Sequence, residues 1–157
     1  MAASKGNTGK GAVLTVSSGG GAPTWTAVAQ LKTLQFAGQK INFDDITNMD
    51  SPALGTSLIP LKESIPGTAD PGTVALAGIF LPSDAGYGML EAAYLTQAQT
   101  DFKIQLPKGP NQTVAGNLYA FSGYVVDQPN PDVQFDKTLT WKTTIQLNTG
   151  ITVTLGS

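Results

Sequence analysis

Glycine and proline interrupt this chain so often that few long regular segments can form, and this limits the fold more than any other feature. The 157 residues include 18 glycines and 10 prolines, and both residue types break the interior of helices and strands. The stretches between them are rich in threonine and valine, which favour strands. The sequence therefore predicts a mainly β protein in which short strands are joined by turns.

Alternating apolar and polar residues locate the strands. The clearest pattern spans residues 137–147 and predicts one set of side chains facing inward, Leu139, Trp141, Ile145 and Leu147. Further strands are predicted at 12–16, 25–36, 41–43, 73–81, 102–106 and 118–126. Residues 151–155 follow a turn, either as a continuation of the preceding strand or as a hairpin return.

One segment has helical spacing. Ser83 can cap it, and Asp84 lies favourably near the positive end of the helix dipole. Its apolar side chains recur every three or four residues: Tyr87, Leu90, Tyr94 and Ala98. The pattern predicts a helix over about 84–98. With the strands on both sides, it indicates a β-sandwich or small barrel with one flanking α-helix.

Residues 44–72 show no sustained period, although turn signals are frequent. Their apolar side chains are too many for a solvated linker: Leu54, Leu58, Ile59, Leu61 and Ile65. We expect a long inter-strand loop that packs on its own domain or on a neighbouring molecule. Residues 1–10 are small and polar and predict a flexible arm, which leaves 11–157 as one domain.

The composition excludes most kinds of catalytic site. The chain has neither cysteine nor histidine, and all nine basic residues are lysine. Thiolate and histidine chemistry, zinc hydrolysis and arginine-assisted phosphoryl transfer are therefore ruled out. We expect no enzyme activity, no cofactor and no bound metal. Asp44, Asp45 and Asp50 form the one acidic cluster, and we interpret them as turn or interface residues because aspartate bonds to nearby backbone amides.

The charge pattern also limits the partners. The net charge is −2, and the lysines are scattered rather than clustered, which argues against tight binding to nucleic acid. No stretch of about 18 apolar residues is present, and residues 1–11 lack the apolar core of a secretory signal. We expect no membrane segment.

The ordered set of segments resembles the tail tube proteins, or major tail proteins, of long-tailed bacteriophages. In the first half of the chain, the matching features are a glycine-led first strand (Gly11–Val16), an aromatic before a valine-containing strand (Trp25–Leu31) and an acidic segment ending in Asp-Ser (Phe43–Ser51). Two proline-glycine turns (Ile65–Gly67 and Asp70–Gly72) and a core strand (73–80) follow. The last features are a helix (84–98), a Pro-Lys-Gly turn (Pro107–Gly109) and two closing strands (120–126 and 137–147).

This resemblance implies a structural virion protein. It implies that six copies close into a ring and that rings stack into the tail tube, through which the genome leaves the virion without specific binding. It also implies further partners, namely the tape-measure protein, the tail tip or baseplate and the tail terminator, with assembly in the host cytoplasm. The long loop would then contact a neighbouring subunit or ring through Asp44, Asp45, Asp50 and its leucines and isoleucines.

Two other functions are compatible with the residues. A monomeric carbohydrate-binding module could use Trp25 and Trp141 as a stacking platform, although the phase of Trp141 predicts a core position. The tube of a contractile tail or a secretion system would share the same fold. A ligand-binding module should stay monomeric, whereas a tube protein should change its mass with concentration.

Overall fold

The computed structural model describes residues 9–56 and 58–157, so nearly all of the predicted arm lies outside the described residues. The elements are β1 (Val13–Ser17), β2 (Trp25–Ala27), β3 (Leu31–Ala37), β4 (Lys40–Asp45), β5 (Ser64–Asp70), β6 (Thr73–Ile79), α1 (Ala85–Thr96), β7 (Thr100–Gln105), β8 (Leu118–Val125), β9 (Pro131–Asp132), β10 (Thr140–Leu147) and β11 (Thr152–Thr154). The described chain is thus mainly β with one α-helix, as the sequence predicted.

Nine of the strands form one antiparallel sheet. Its order is β2-β1-β7-β8-β10-β6-β3, with β9 beside β10 and β11 beside β8. The sheet curls over its own core. This is shown by Phe36 on β3, whose ring packs edge-on against that of Phe121 on β8, with ring centroids 5.6 Å apart, although the two strands are not neighbours in the sheet. The two halves of the curled sheet therefore act as the two layers of a sandwich.

Strand β10 shows how the alternating pattern forms the core. Trp141, Ile145 and Leu147 are buried as predicted, and Thr143 is buried in phase with them. The Thr143 hydroxyl donates a hydrogen bond to the backbone carbonyl of Asp127, so its burial leaves no unmet polar group. Leu139 was predicted to face inward and this was wrong, because it precedes the strand and remains exposed.

Helix α1 begins one residue later than predicted and ends two residues earlier. Its N-cap is Asp84 and not Ser83: the Asp84 carboxylate accepts hydrogen bonds from the backbone N–H groups of Gly86 and Tyr87. The same carboxylate accepts from the N–H of Ala29, 3.1 Å away, which ties the helix start to the turn between β2 and β3. Ala98 lies beyond the helix end and does not join its buried face.

The predicted strand at 25–36 is divided in two. Gln30 adopts a left-handed backbone with φ of 56° between β2 and β3, so β2 pairs with β1 while β3 pairs with β6. At the other terminus, β10 and β11 both pair with the edge of β8 that lies opposite β7. Of the two alternatives for 151–155, the interrupted continuation is therefore correct and the hairpin return is wrong.

The predicted loop at 44–72 is wrong in its second half. Ser64–Asp70 is strand β5, and it pairs with β4 in a separate two-stranded antiparallel sheet. Only residues 46–63 connect the two strands. We call residues 40–70, which include β4, β5 and this connection, the ribbon.

Candidate assembly interface

The ribbon leaves the large sheet where β3 ends and β6 begins. At that end, Ala37, Thr73 and Gln146 lie side by side on three adjacent strands, and we call it the ribbon end of the molecule. Gly72 makes the junction possible. Its φ is +82°, and a Cβ placed on it would lie 2.2 Å from the backbone oxygen of Ala37.

The connection between β4 and β5 is held in shape by its own hydrogen bonds. The Ser51 hydroxyl donates to Glu63 Oε2 over 2.5 Å and accepts from the N–H of Asn48 over 2.9 Å. The N–H of Glu63 donates to Thr47 Oγ1 over 2.8 Å. Bonds between hydroxyls and carboxylates are charge-assisted and stronger than neutral ones. These bonds hold together Thr47, Asn48, Ser51 and Glu63, where the connection joins the two strands.

The three predicted acidic residues lie on the ribbon and are exposed. Asp45 forms a turn contact, since its carboxylate accepts from Thr47 Oγ1 over 2.6 Å and from the N–H of Thr47 over 2.9 Å. These two bonds, and the nearby charge of Lys62, lower the pKa of Asp45 from its usual value. Within the described residues, the side chains of Asp44 and Asp50 have no hydrogen-bond partner, so both carboxylates remain available.

The predicted apolar residues of the ribbon are all exposed to solvent. The exposed fractions are 58% for Leu54, 98% for Leu58, 65% for Ile59, 44% for Leu61 and 47% for Ile65. Of the nineteen large apolar side chains exposed in the described chain, nine belong to the ribbon. An apolar surface of this kind on a projecting element is typical of a protein–protein contact.

Sequence reasoning missed four further members of this surface, Ile41, Phe43, Ile46 and Met49. Ile41 and Phe43 alternate around Asn42, which correctly predicted a strand, but a strand pattern does not tell which molecule covers the apolar side. The signal that could have found them is their position on the strand that leads directly into the apolar segment at 54–65.

The other kinds of site that the sequence allowed were searched for in residues 9–56 and 58–157. The residues that the structure describes contain no group of three or more His, Cys, Asp or Glu side chains placed to hold a metal ion. The two tryptophans do not form a platform for a sugar, because Trp141 is buried and the Lys103 ammonium lies 4.0 Å above the ring of Trp25. Within the same residues, no helix is long and apolar enough to cross a membrane.

Comparison with solved structures identifies the fold, whereas comparison by sequence finds no match. No family model matches the chain, and no curated protein matches it. Among solved structures, the tail of an empty gene transfer agent particle, computed with C6 symmetry, matches with a TM-score of 0.69 and 12% identity. The match covers 95% of this chain and 99% of that chain.

Two further structures match over most of both chains. The SPP1 tail tube has a TM-score of 0.63 and 14% identity, covering 96% of this chain and 79% of that one. A chain of the sheath–tube complex of an extracellular contractile injection system has a TM-score of 0.62 and 8% identity, covering 92% and 88%. The chain therefore has the tail tube fold, which confirms the fold implied by the resemblance.

Proposed function

We propose that this protein is the subunit of a phage-type tail tube, in which six copies close into a ring and rings stack into a hollow conduit for the genome. The observation that carries the proposal is the ribbon, which has nine large apolar side chains exposed to solvent. The fold likeness to chains of assembled tails supports it.

The ribbon is suited to a permanent contact. Full burial of a large apolar side chain contributes roughly 1.5–3 kcal/mol, so covering this surface contributes on the order of 10 kcal/mol before the cost of association. Because hydrogen bonds already hold the two ends of the connection together, part of the ordering cost is met before binding. The ribbon therefore stacks one ring on the next.

Ring closure uses the sheet edges. In the described chain, β3 lies at one end of the strand order and pairs on one side only, with β6, and the short β2 lies at the other end. A head-to-tail contact between copies covers such edges and closes a ring when its rotation fits. We assign the chain to the virion tail, assembled in the host cytoplasm, with the tape-measure protein, tail tip or baseplate and terminator as partners.

The interior of the tube releases DNA rather than binding it. The net charge of −2 and the lack of arginine keep phosphate contacts few, and few phosphate contacts allow the duplex to pass without stalling. The protein is on this view a structural component without a catalytic site.

Electron microscopy with light scattering on concentrated protein tests the proposal. The wild-type chain is expected to form rings and tubes whose mass rises with concentration. In a matched variant, residues 46–63 are replaced by Asn-Gly, a favoured two-residue hairpin turn; it should retain rings and lose stacking. A wild-type chain that stays monomeric at all concentrations and is stabilised by a sugar would instead identify a ligand-binding module.

The tube of a contractile injection system is the second candidate, favoured by the likeness to a chain of such a sheath–tube complex. The two candidates differ in what covers the outside of the tube. Mixing assembled tubes with a contractile sheath protein separates them, because only a contractile-type tube is expected to be decorated.

A further inference from the structure

We propose that the acidic ribbon of one copy docks into a lysine-lined groove at the opposite end of the next copy, and that this ionic contact fixes the direction of stacking. The inference rests on the proposed function, because it identifies the surface that receives the ribbon.

The two surfaces lie at opposite ends of the same strands. The ribbon leaves β3 and β6 at the ribbon end, beside Ala37 and Thr73. At the other end of these strands, Leu31 pairs with Gly78 and Thr140 pairs with Ile79, and we call it the helix end because Tyr87 of α1 packs there against Trp141. Molecules stacked head to tail along the strands therefore bring a ribbon against the helix end of the next copy.

A groove crosses the outer face of the sheet near the helix end. Its volume is about 580 Å³, and strands β3, β6, β9 and β10 line it. Thr33 and Lys142 both pair with Ala77 of β6, so Lys32 and Lys142 approach the groove from opposite sides of that strand. Both lysines are exposed.

The charges of the two surfaces are opposite. The ribbon carries five carboxylates and two ammonium groups, a net charge of −3, whereas the groove is lined by Lys32, Lys142 and a single carboxylate, that of Asp132. Across residues 9–56 and 58–157, no lysine nitrogen lies within 4.0 Å of a carboxylate oxygen. The lysines of the groove thus have no carboxylate partner within their own described chain.

Complementary charges that are unpaired within a subunit can pair between subunits. Such pairs give specificity and orientation more than affinity, and they are weakened by salt. The apolar side chains of the ribbon provide most of the binding free energy. The lysines determine which end of the next copy the ribbon binds. A ribbon facing another ribbon brings like charges together, which disfavours the reversed orientation.

Charge reversal tests the inference on the full chain. The double variant Lys32→Glu and Lys142→Glu is expected to raise the concentration needed for half-maximal stacking by about tenfold or more. Its melting temperature should match the wild type because both side chains are exposed. The control Lys137→Glu reverses an exposed lysine that does not line the groove, and should stack like the wild type.

Mixing two variants with complementary charge changes tests the pairing of the two surfaces directly. The variant Asp44→Lys with Asp50→Lys has a basic ribbon and should also need a higher concentration to stack alone. In an equal mixture of this variant and the groove variant, each basic ribbon meets an acidic groove and each acidic ribbon meets a basic one. The mixture should therefore stack at the concentration that the wild type needs.

The outcomes separate this inference from the proposed function. If wild-type rings stack and the groove variant stacks equally well, the groove is not the receiving surface, while the tube function stands. If the mixture does not stack although the wild type does, the pairing of these two surfaces is overturned. If the wild type forms neither rings nor tubes, both proposals fail.

Discussion

In the connection between β4 and β5, polar side chains bond to each other while large apolar side chains stay in solvent. Ser51 is buried and bonded to Glu63, whereas Met49 and Leu58 are fully or almost fully exposed. A polar network of this kind fixes the local shape. These residues are consistent with the proposal that a partner molecule, and not the chain's own core, covers this surface.

The first prediction concerns Asp45, whose pKa is lowered mainly by the hydrogen bond from Thr47 Oγ1 and then by that from the Thr47 N–H. A carboxyl group with a lowered folded-state pKa stabilises the folded form above its unfolded pKa, near 4, and loses this contribution as the pH falls through the lowered value. Thr47→Val removes the hydroxyl. The pKa of Asp45, followed by NMR of its side-chain carbon, should then rise toward its usual value.

The matched control is Thr68→Val, because Thr68 lies on β5 and its hydroxyl accepts a hydrogen bond from the Asn42 side chain and not from a group near Asp45. The Asp45 titration should be the same in this variant as in the wild type. An Asp45 pKa that does not move in Thr47→Val would show that the contact with the hydroxyl does not form in solution.

At the scale of elements, the ribbon contains a strand that sequence patterns did not predict. Strand β5 contains Pro66 and Gly67, which are both unfavourable in strands, so its sequence predicted a loop. It forms because β4 pairs with it, and the register shifts between Ile41 and Phe43. Pairing across a hairpin is a tertiary effect that local propensity does not contain. The helix, by contrast, was predictable from its periodicity, although its N-cap is Asp84 and not the predicted Ser83.

The second prediction concerns the junction between the ribbon and the sheet. Gly72→Ala forces a side chain into a left-handed backbone and against the Ala37 carbonyl. It should lower the free energy of unfolding by more than about 2 kcal/mol, measured by urea denaturation. Gly72 also holds the sheet together, since its carbonyl accepts from the N–H of Leu147.

Gly88→Ala is the control for this substitution. Gly88 lies in α1 with nothing within 4 Å of a Cβ placed on it, so alanine should stabilise the protein by about 0.5–1 kcal/mol. Equal stability of the Gly72 variant and the wild type would contradict the tight junction.

At the scale of the whole molecule, alternation and turn residues were enough to predict a β fold with one helix, because these signals report which side chains leave water. They left open whether the strands form a sandwich or a small barrel, and they did not predict that 64–70 is a strand, since both depend on contacts between residues far apart in the chain. The predicted interface residues are exposed on one element, but the groove with Lys32 and Lys142 exists only after β3, β6 and β10 are aligned.

Substitutions of exposed leucines in the ribbon should affect assembly without affecting folding. Leu54→Ser with Leu58→Ser changes two exposed side chains of the ribbon, so the unfolding free energy of the unassembled chain should shift by no more than about 0.5 kcal/mol. Stacking should weaken strongly in the same protein, because the buried apolar area between copies is lost. Leu95→Ser is the matched control, as Leu95 is 67% exposed on α1 and lies outside the ribbon. Sedimentation of assembled tubes checks all three proteins, and normal stacking by the double variant would show that the ribbon leucines do not join successive rings.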